Sequence, residues 1–381
     1  MSAGSRIREI RLRRKMSQST LAGDLFNRSY ISQIELGSVT PPLETLQLLA
    51  LKLEIPLEEL LMPSLLDQQH ELHHLLTLAK QHKNLPLIVE VWEKSIQYAF
   101  SDLAIESILW VLSIEENSDR THQMLLTTYN LLTRVTTSNA LLWYELVFSL
   151  GKSYFHRQRY HESNHLFSAI LISHPTHSIE LRARINHATS LFCLAEYGSA
   201  AIQYEKSIQL IEKHGTPLQL AKCFHELGAC HRYLKQLDCA YIYTKKAEEI
   251  YVGLDTARWH DAIHNLGIIF MLQGKYHEAK GMLEETLAFH LNLHNLLKAA
   301  SVYEDLGNLA YMQHDFSTSL VFCNQSLLIL EQHEQNSILY LRLLCLKYRN
   351  LRIKEPILAN QILPTIKVLS NILSYDLKHI L

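Results

Sequence analysis

Three observations predict an all-α chain. Glycine and proline number only 12 and 9 in 381 residues, about half their usual share, which leaves too few turn-formers for a sandwich or a barrel. Apolar residues fall in helical runs along most of the length, as around Leu72 to Leu78 and Leu103 to Ile114. Pairs ending in a small residue also return about every 40 residues beyond position 144, the mark of a helical repeat. With 48% hydrophobic and 19% charged residues, the chain can bury the core of two ordinary domains.

Several classes are excluded at this level. No apolar stretch reaches the roughly 18 residues of a membrane span, and Ser5 to Lys15 holds no apolar signal-peptide core. The expectation is a soluble cytoplasmic protein with no membrane partner. Six cysteines without a CxxC pair read as buried free thiols of a reducing compartment. The net charge of −2 hides an asymmetry, because residues 1–40 carry seven Lys/Arg against three acids. A basic head on a near-neutral body points to phosphate as the partner of the head.

Residues 1–65 form the first domain and read as five short helices. Ile7, Ile10, Leu12 and Met16 give the first an apolar face. Ser17 then caps a second helix, Gln18 to Leu25, which buries Leu21 and Ala22. After a turn at Phe26-Asn27, a third helix from Ser29 to Leu36 turns Ile31 and Ile34 inward and leaves Arg28, Ser29, Tyr30, Ser32 and Gln33 outward. Gly37 stops it as a left-handed cap. Pro41 and Pro42 set up a fourth helix with Leu43, Leu46, Leu49 and Ala50 inward, and Pro56 a fifth through Leu57, Leu60 and Leu61.

On Ser17-Gln18-x-x-Leu21-Ala22, Ile31-Ser32-Gln33-Ile34-Glu35-Leu36-Gly37, Pro41-x-Leu43-Glu44-Thr45-Leu46 and Leu53-Glu54-Ile55-Pro56, this segment resembles the Cro/repressor-like helix-turn-helix family. The resemblance implies that residues 28–36 enter the major groove of double-stranded DNA. Gln18 would then touch phosphate or an outer base edge, while Arg28, Ser29, Tyr30 and Gln33 read the groove. Arg matches the two acceptors of guanine, and Gln the acceptor and donor of adenine. Arg13 and Lys15 are the expected phosphate contacts.

Residues 66–381 form the second domain. Leu150-Gly151, His187-Ala188, Leu227-Gly228, Leu266-Gly267 and Leu306-Gly307 recur at intervals of 37, 40, 39 and 40 residues. Nine residues after each small residue stands Tyr160, Tyr197, Leu237, Tyr276 or Phe316, and twelve after it Ser163, Ala200, Ala240, Ala279 or Ser319. Sixteen after come Phe167, Tyr204, Thr244, Leu283 and Cys323. A small residue where two helices cross admits a bulky one from its neighbour, so the pattern encodes stacked helical hairpins. It resembles a lengthened tetratricopeptide repeat, clear over 144–330, degenerate over 66–143 and closed by a terminal cap at 338–381. The resemblance implies a right-handed superhelical solenoid with a concave wall.

Catalytic motifs are few. His161-Glu162-Ser163-Asn164-His165 matches the HExxH zinc-protease spacing, yet the repeat frame buries Ser163 and turns both histidines outward. A zinc hydrolase is therefore the lesser alternative, and the expectation is no enzyme, no metal and no cofactor. His260/His264 and His290/His294, also spaced by four, read as groove-lining or solvated.

The tetratricopeptide resemblance implies that the position two before the small residue grips ligand backbone. Here that position holds Ser149, Asn186, Glu226, Asn265 and Asp305. Asn186 and Asn265 are the expected peptide clamps, since an Asn amide both donates and accepts; ties between hairpins are the other reading. Lys222, Glu226, His225, Arg232, His264, Asn308, Phe155 and Tyr311 complete the candidate peptide wall, a mixture suited to an acidic or apolar short peptide.

In domain order the chain resembles the peptide-pheromone-responsive transcription regulators of Gram-positive bacteria, the PlcR/NprR/PrgX-like family. That implies a homodimeric quorum-sensing regulator in which a short signalling peptide alters operator binding. The alternative is a solenoid that binds a protein partner such as a response regulator.

Overall fold

The computed structural model describes residues 3–57, 60, 65–132, 139–173, 175–333 and 337–373. Its regular structure is twenty α-helices, with no strand among the described residues. The chain divides into two compact units, Met1–Gln158 and Arg159–Leu381.

The first unit opens with α1 (Ala3–Arg13), α2 (Gln18–Ala22), α3 (Arg28–Glu35) and α4 (Leu43–Lys52). The Ser17 hydroxyl accepts from the Thr20 amide, so α2 starts where the sequence places it. It ends sooner, at Ala22, because Gly23 takes a positive φ of 55°. Gly37 caps α3 at φ 74°, and the Ser38 amide reaches back to the Gln33 carbonyl at 2.9 Å. Ile7, Ile10, Leu21, Ala22, Ile31, Ile34, Leu46, Leu49, Ala50, Leu53 and Leu60 form one core. Leu12 and Leu43 are instead 56% and 55% exposed. Leu12 follows the buried Arg11 on the outer side of α1, and Leu43 is the first residue of α4, before the turn that meets the core. Of the expected fifth helix, Leu60 is buried, while Leu61 lies outside the described residues.

The same unit continues through α5 (Leu65–Gln81), α6 (Leu85–Gln97), α7 (Ser101–Leu112), α8 (Asp119–Leu131) and α9 (Ala140–His156). Caps start these helices where turn-forming glycines are missing: Asn84 accepts from the Leu87 amide and Ser118 from the Thr121 amide. The Trp92 indole donates to Thr128 at 2.9 Å, joining α6 to α8.

The second unit runs α10 (Tyr160–Ile172), α11 (His177–Cys193), α12 (Tyr197–His214), α13 (Pro217–Tyr233), α14 (Leu237–Tyr251), α15 (Thr256–Leu272), α16 (Tyr276–Asn292), α17 (Leu296–Met312), α18 (Phe316–His333), α19 (Ile338–Lys354) and α20 (Pro356–Ile372). The small residues at the second repeat position, Ser163, Ala200, Ala240, Ala279 and Ser319, are all 0% exposed. A Cβ on Gly267 would stand 3.1 Å from Leu283, and one on Gly228 would collide with the Thr244 hydroxyl. The small-against-bulky register of the sequence is thus the packing register of the hairpins.

The four hairpin turns from α11 to α18 each hold one residue in the left-handed region, namely Ala195, Lys235, Gly274 or His314 at φ 60°, 60°, 78° and 63°. Only one of the four is glycine, so glycine spacing does not mark the turns. Consecutive helices pack along the whole unit, and α13 touches α15, α15 touches α17 and α17 touches α19. The first helices of the hairpins from α13 to α19 therefore make a continuous wall. Two cysteine expectations change: Cys223, Cys230, Cys323 and Cys345 are buried, but Cys193 and Cys239 are exposed. Among the histidines, His260 and His290 are buried rather than groove-lining, and His260 stacks on Phe289 with ring centres 3.6 Å apart.

Candidate functional site

The head presents α3 on a rigid base. Arg11 forms two bonds to the Glu35 carboxylate, at 2.6 and 2.9 Å, and a third to the Met16 carbonyl at 2.7 Å. Gln18 donates to the same carboxylate at 2.9 Å. Burial alone would raise the Glu35 carboxyl; the bonds from Arg11 and Gln18 and the Arg11 charge overcome it and hold it below the usual carboxylate range. One buried network thus joins α1, α2 and α3.

The outward side of α3 matches the sequence pattern. Arg28, Ser29 and Gln33 are exposed, while Tyr30 is half-buried against Phe26, ring centres 5.9 Å apart. Gln18 keeps one amide hydrogen beyond its bond to Glu35, enough for a phosphate oxygen. The cations divide into two groups. Arg6 and Arg13 pair with Glu9 at 2.7 and 2.6 Å, and Arg14 pairs with Glu54 at 2.7 Å. Arg8, Lys15 and Arg28 are exposed with no ion pair among the described residues. Arg8 was not singled out from the sequence; it faces outward one turn from Arg11, and the period of α1 alone marks it.

In the second unit, polar side chains tie the first helix of one hairpin to the first helix of the next. The Asn265 amide on α15 donates to His225 Nε2 on α13 at 2.9 Å. His264 Nε2 meets Asp305 on α17 at 2.8 Å. Glu304 meets Arg342 on α19 at 2.8 Å, and Asn308 faces Arg349 at 3.5 Å. The Arg349 guanidinium also lies 4.8 Å from the centre of the Tyr311 ring. Arg342 and Arg349 were not singled out from the sequence; they stand 38 and 41 residues after Glu304 and Asn308, off the repeat interval and in the segment read as the terminal cap.

The remaining wall candidates are scattered. Asn186 donates to the Arg182 carbonyl of its own helix at 2.8 Å. Lys222 is exposed, and Arg232 lies over the Tyr233 ring at 4.5 Å near the end of α13. Phe155 is half-buried on α9 and belongs to the first unit, whereas Asn186 to Tyr311 belong to the second.

The acids of the second unit that are not exposed follow one rule with one exception. Glu162 pairs with Arg159, Glu180 with Arg184, Glu248 with Lys245, Asp255 with Arg258 and Asp261 with Lys298. Glu304 and Asp305 have Arg342 and His264. Glu226 is half-buried, and no hydrogen bond or ion pair reaches it among the described residues. Burial lowers His225 and leaves it neutral, so the neighbouring ring supplies no counter-charge.

At the HExxH segment, Ser163 is buried and bonds Ser190 at 3.1 Å, while His161 and His165 are exposed, the orientation expected from the repeat frame. Among the described residues no three His, Cys, Asp or Glu side chains converge in a metal-binding group. No helix there is long and apolar enough to cross a membrane.

Residues 7–60 match the helix-turn-helix family, and residues 261–295 match the tetratricopeptide repeat. No curated protein matches the chain in sequence. Among solved structures it is similar to aspartyl phosphate phosphatase F from Bacillus subtilis, at 15% identity over 97% of this chain and 94% of that one, with a TM-score of 0.56. It is also similar to the apo form of RapI, at 12% identity over 74% and 97%, TM-score 0.56. PlcR from Bacillus thuringiensis, solved with the peptide PapR7 and DNA, aligns at 21% identity over 68% and 98%, TM-score 0.35. The first two likenesses bear on the fold alone, and the third is too loose to bear on either fold or function. The chain thus carries a helix-turn-helix DNA-binding domain followed by tetratricopeptide repeats.

Proposed function

We propose that this chain is a transcription regulator in which residues 1–65 bind an operator and residues 66–381 sense a short signalling peptide of the quorum-sensing type. The observation that carries the reading is the pairing of a helix-turn-helix head, with Arg28 and Gln33 exposed on α3, with a helical-repeat wall whose polar groups are not all spent internally. Arg28 and Gln33 read bases; Arg8 and Lys15 reach phosphate, and Arg13 does so on leaving Glu9. On the wall, the Asn186 and Asn265 amide nitrogens already have protein partners. Their carbonyl oxygens therefore accept from ligand N–H groups. Two copies act on two half-sites, and the peptide shifts the balance between forms of the dimer that fit the operator differently.

The test is selection of duplexes from randomised DNA by the full-length protein, with and without a pool of synthetic heptapeptides. A recurring sequence, bound about tenfold more tightly or more weakly once peptide is retained, supports the reading; recovery of no preferred sequence rejects it. Asn186→Ala with Asn265→Ala should weaken peptide retention about tenfold, because each lost bond leaves a buried amide unpaired at about 1–3 kcal/mol. Retention at full strength, with the fold intact, would show that both residues serve the solenoid only.

A further inference from the structure

We propose that Glu226 is a specificity-determining residue of the ligand wall, and that it selects a peptide carrying a cationic group, a Lys or Arg side chain or a free terminal amine. The inference rests on the peptide-sensing reading and names the ligand chemistry of the same wall. Its basis is the exception among the acids of the second unit. Of the seven other carboxyl groups there that are not exposed, six have a Lys or Arg in place and Asp305 has His264, while Glu226 has neither cation nor hydrogen bond among the described residues. Taking a carboxylate out of water is costly unless an opposite charge replaces the solvent. A chain that sets a basic side chain beside seven of these groups and none beside the eighth, on the helix lining the wall, leaves that one for a charge from outside.

The position supports the same conclusion. Glu226 stands on α13 at the repeat register that Asn186 holds on α11 and Asn265 on α15. An extended ligand gripped at the two asparagines therefore passes over it. Burial, and after it the Glu226 charge, push Cys230 up to about 12 and raise Tyr204; at Tyr251 burial, opposed by Arg258 and reinforced by Glu226, gives about 12 as well. The charge thus acts on groups of α12, α13 and α14 together. Lys222, one turn earlier on α13, is exposed and makes no ion pair with it. A neutral peptide N–H would fill a hydrogen-bonding position and still leave the charge unmatched. The mixed wall that the sequence assigned to acidic or apolar peptides is, at its centre, selective for a cation.

The experiment retains peptides on immobilised full-length protein from two pools of randomised heptapeptides, one with free N-termini and one acetylated. The wild type should enrich Lys and Arg about tenfold or more over Glu226→Gln if the side chain is the cation. If the terminal amine is the cation, the wild type should prefer the free pool to the acetylated one by a similar factor. Glu226→Arg should reverse the preference towards Asp and Glu. Equal composition on wild type and Glu226→Gln, together with an equal ratio of free to acetylated peptides on both, overturns the proposal while leaving peptide sensing in place. Retention of nothing by the wild type overturns both. Glu226→Gln should melt no lower than the wild type, because it removes an unmatched charge; a lower melting temperature would show that the carboxylate serves the fold.

Discussion

The head and the repeat wall bury charge in opposite ways. In the head a single carboxylate, Glu35, sits at the centre of one core and takes three bonds from two side chains, Arg11 and Gln18. In the second unit the charges are strung out, each tying one hairpin to the next, from His264 with Asp305 to Glu304 with Arg342. A central network makes α1, α2 and α3 stand or fall together, which fixes the orientation of α3. A serial arrangement spreads stability over nearest neighbours and can leave one position open without loss of the rest. Glu226 is that position.

Removing Arg11 should have the largest effect. Arg11→Ala leaves Glu35 buried without its cation, a loss of about 3–5 kcal/mol, so the head should melt first while the repeats keep their helical signal. Circular dichroism melts resolve this; one unchanged transition would erase the contrast between the regions. Next comes Gly228→Ala, whose Cβ would collide with the Thr244 hydroxyl and stand 3.1 Å from the Thr244 amide nitrogen. Overpacking of this kind costs about 1–3 kcal/mol, and DNA binding by the head should be untouched.

On the DNA side, Arg28→Ala should cost about 1–3 kcal/mol at the preferred duplex and relax discrimination there. Lys15→Ala should weaken all duplexes alike and lower the salt dependence by about one ion. Footprints that keep their sequence preference in Arg28→Ala would remove that residue from base reading.

Acid should separate the regions more gently. Burial pushes His187 down to about 4 and also lowers His225 and His290. These groups lie below their unfolded value of 6.5, so their stabilisation is complete above pH 6.5 and is lost as pH falls towards 4. Glu304 runs the other way: burial, opposed by Arg342, pushes it up to about 8, so its unfavourable contribution sets in as pH rises from 4.5 to 8. Glu35 is lowered and holds the head until pH drops below 4.5. In a Glu304→Gln background, melts at pH 7 and pH 5 should therefore lower the repeat transition and leave the head in place; a larger drop in the head would contradict this order. The smallest change is Gly281→Ala, whose Cβ would meet open space. It should stabilise α16 by about 0.5–1 kcal/mol, a rise of a degree or two in the repeat transition alone.

Much of this was legible before any coordinates. Ile31, Ile34 and the outward set from Arg28 to Gln33 follow from a helical period of 3.6 between Asn27 and Gly37. The register of Gly228 against Thr244 and Gly267 against Leu283 follows from a sixteen-residue offset that recurs. The hairpin turns were not visible as turns, because Ala195, Lys235 and His314 take a conformation that composition assigns to glycine. The depth of His260 and His290 was not visible either, since spacing by four says that two residues share a face and not which face is covered.

The sequence by itself determined helicity, the inward face of the head and the packing offset of the repeats, all of which depend on neighbours within one or two turns or on a period that repeats without change. Only the tertiary structure decided which polar groups meet. Asn265 gives its amide to His225, 40 residues away, and Asp305 receives His264 from 41 away, whereas Glu226, in the same repeat frame, receives no bond among the described residues. A hydrogen bond forms or fails within a few tenths of an ångström, and that distance is set by the accumulated tilt and shift of whole hairpins, which no local pattern of residues encodes.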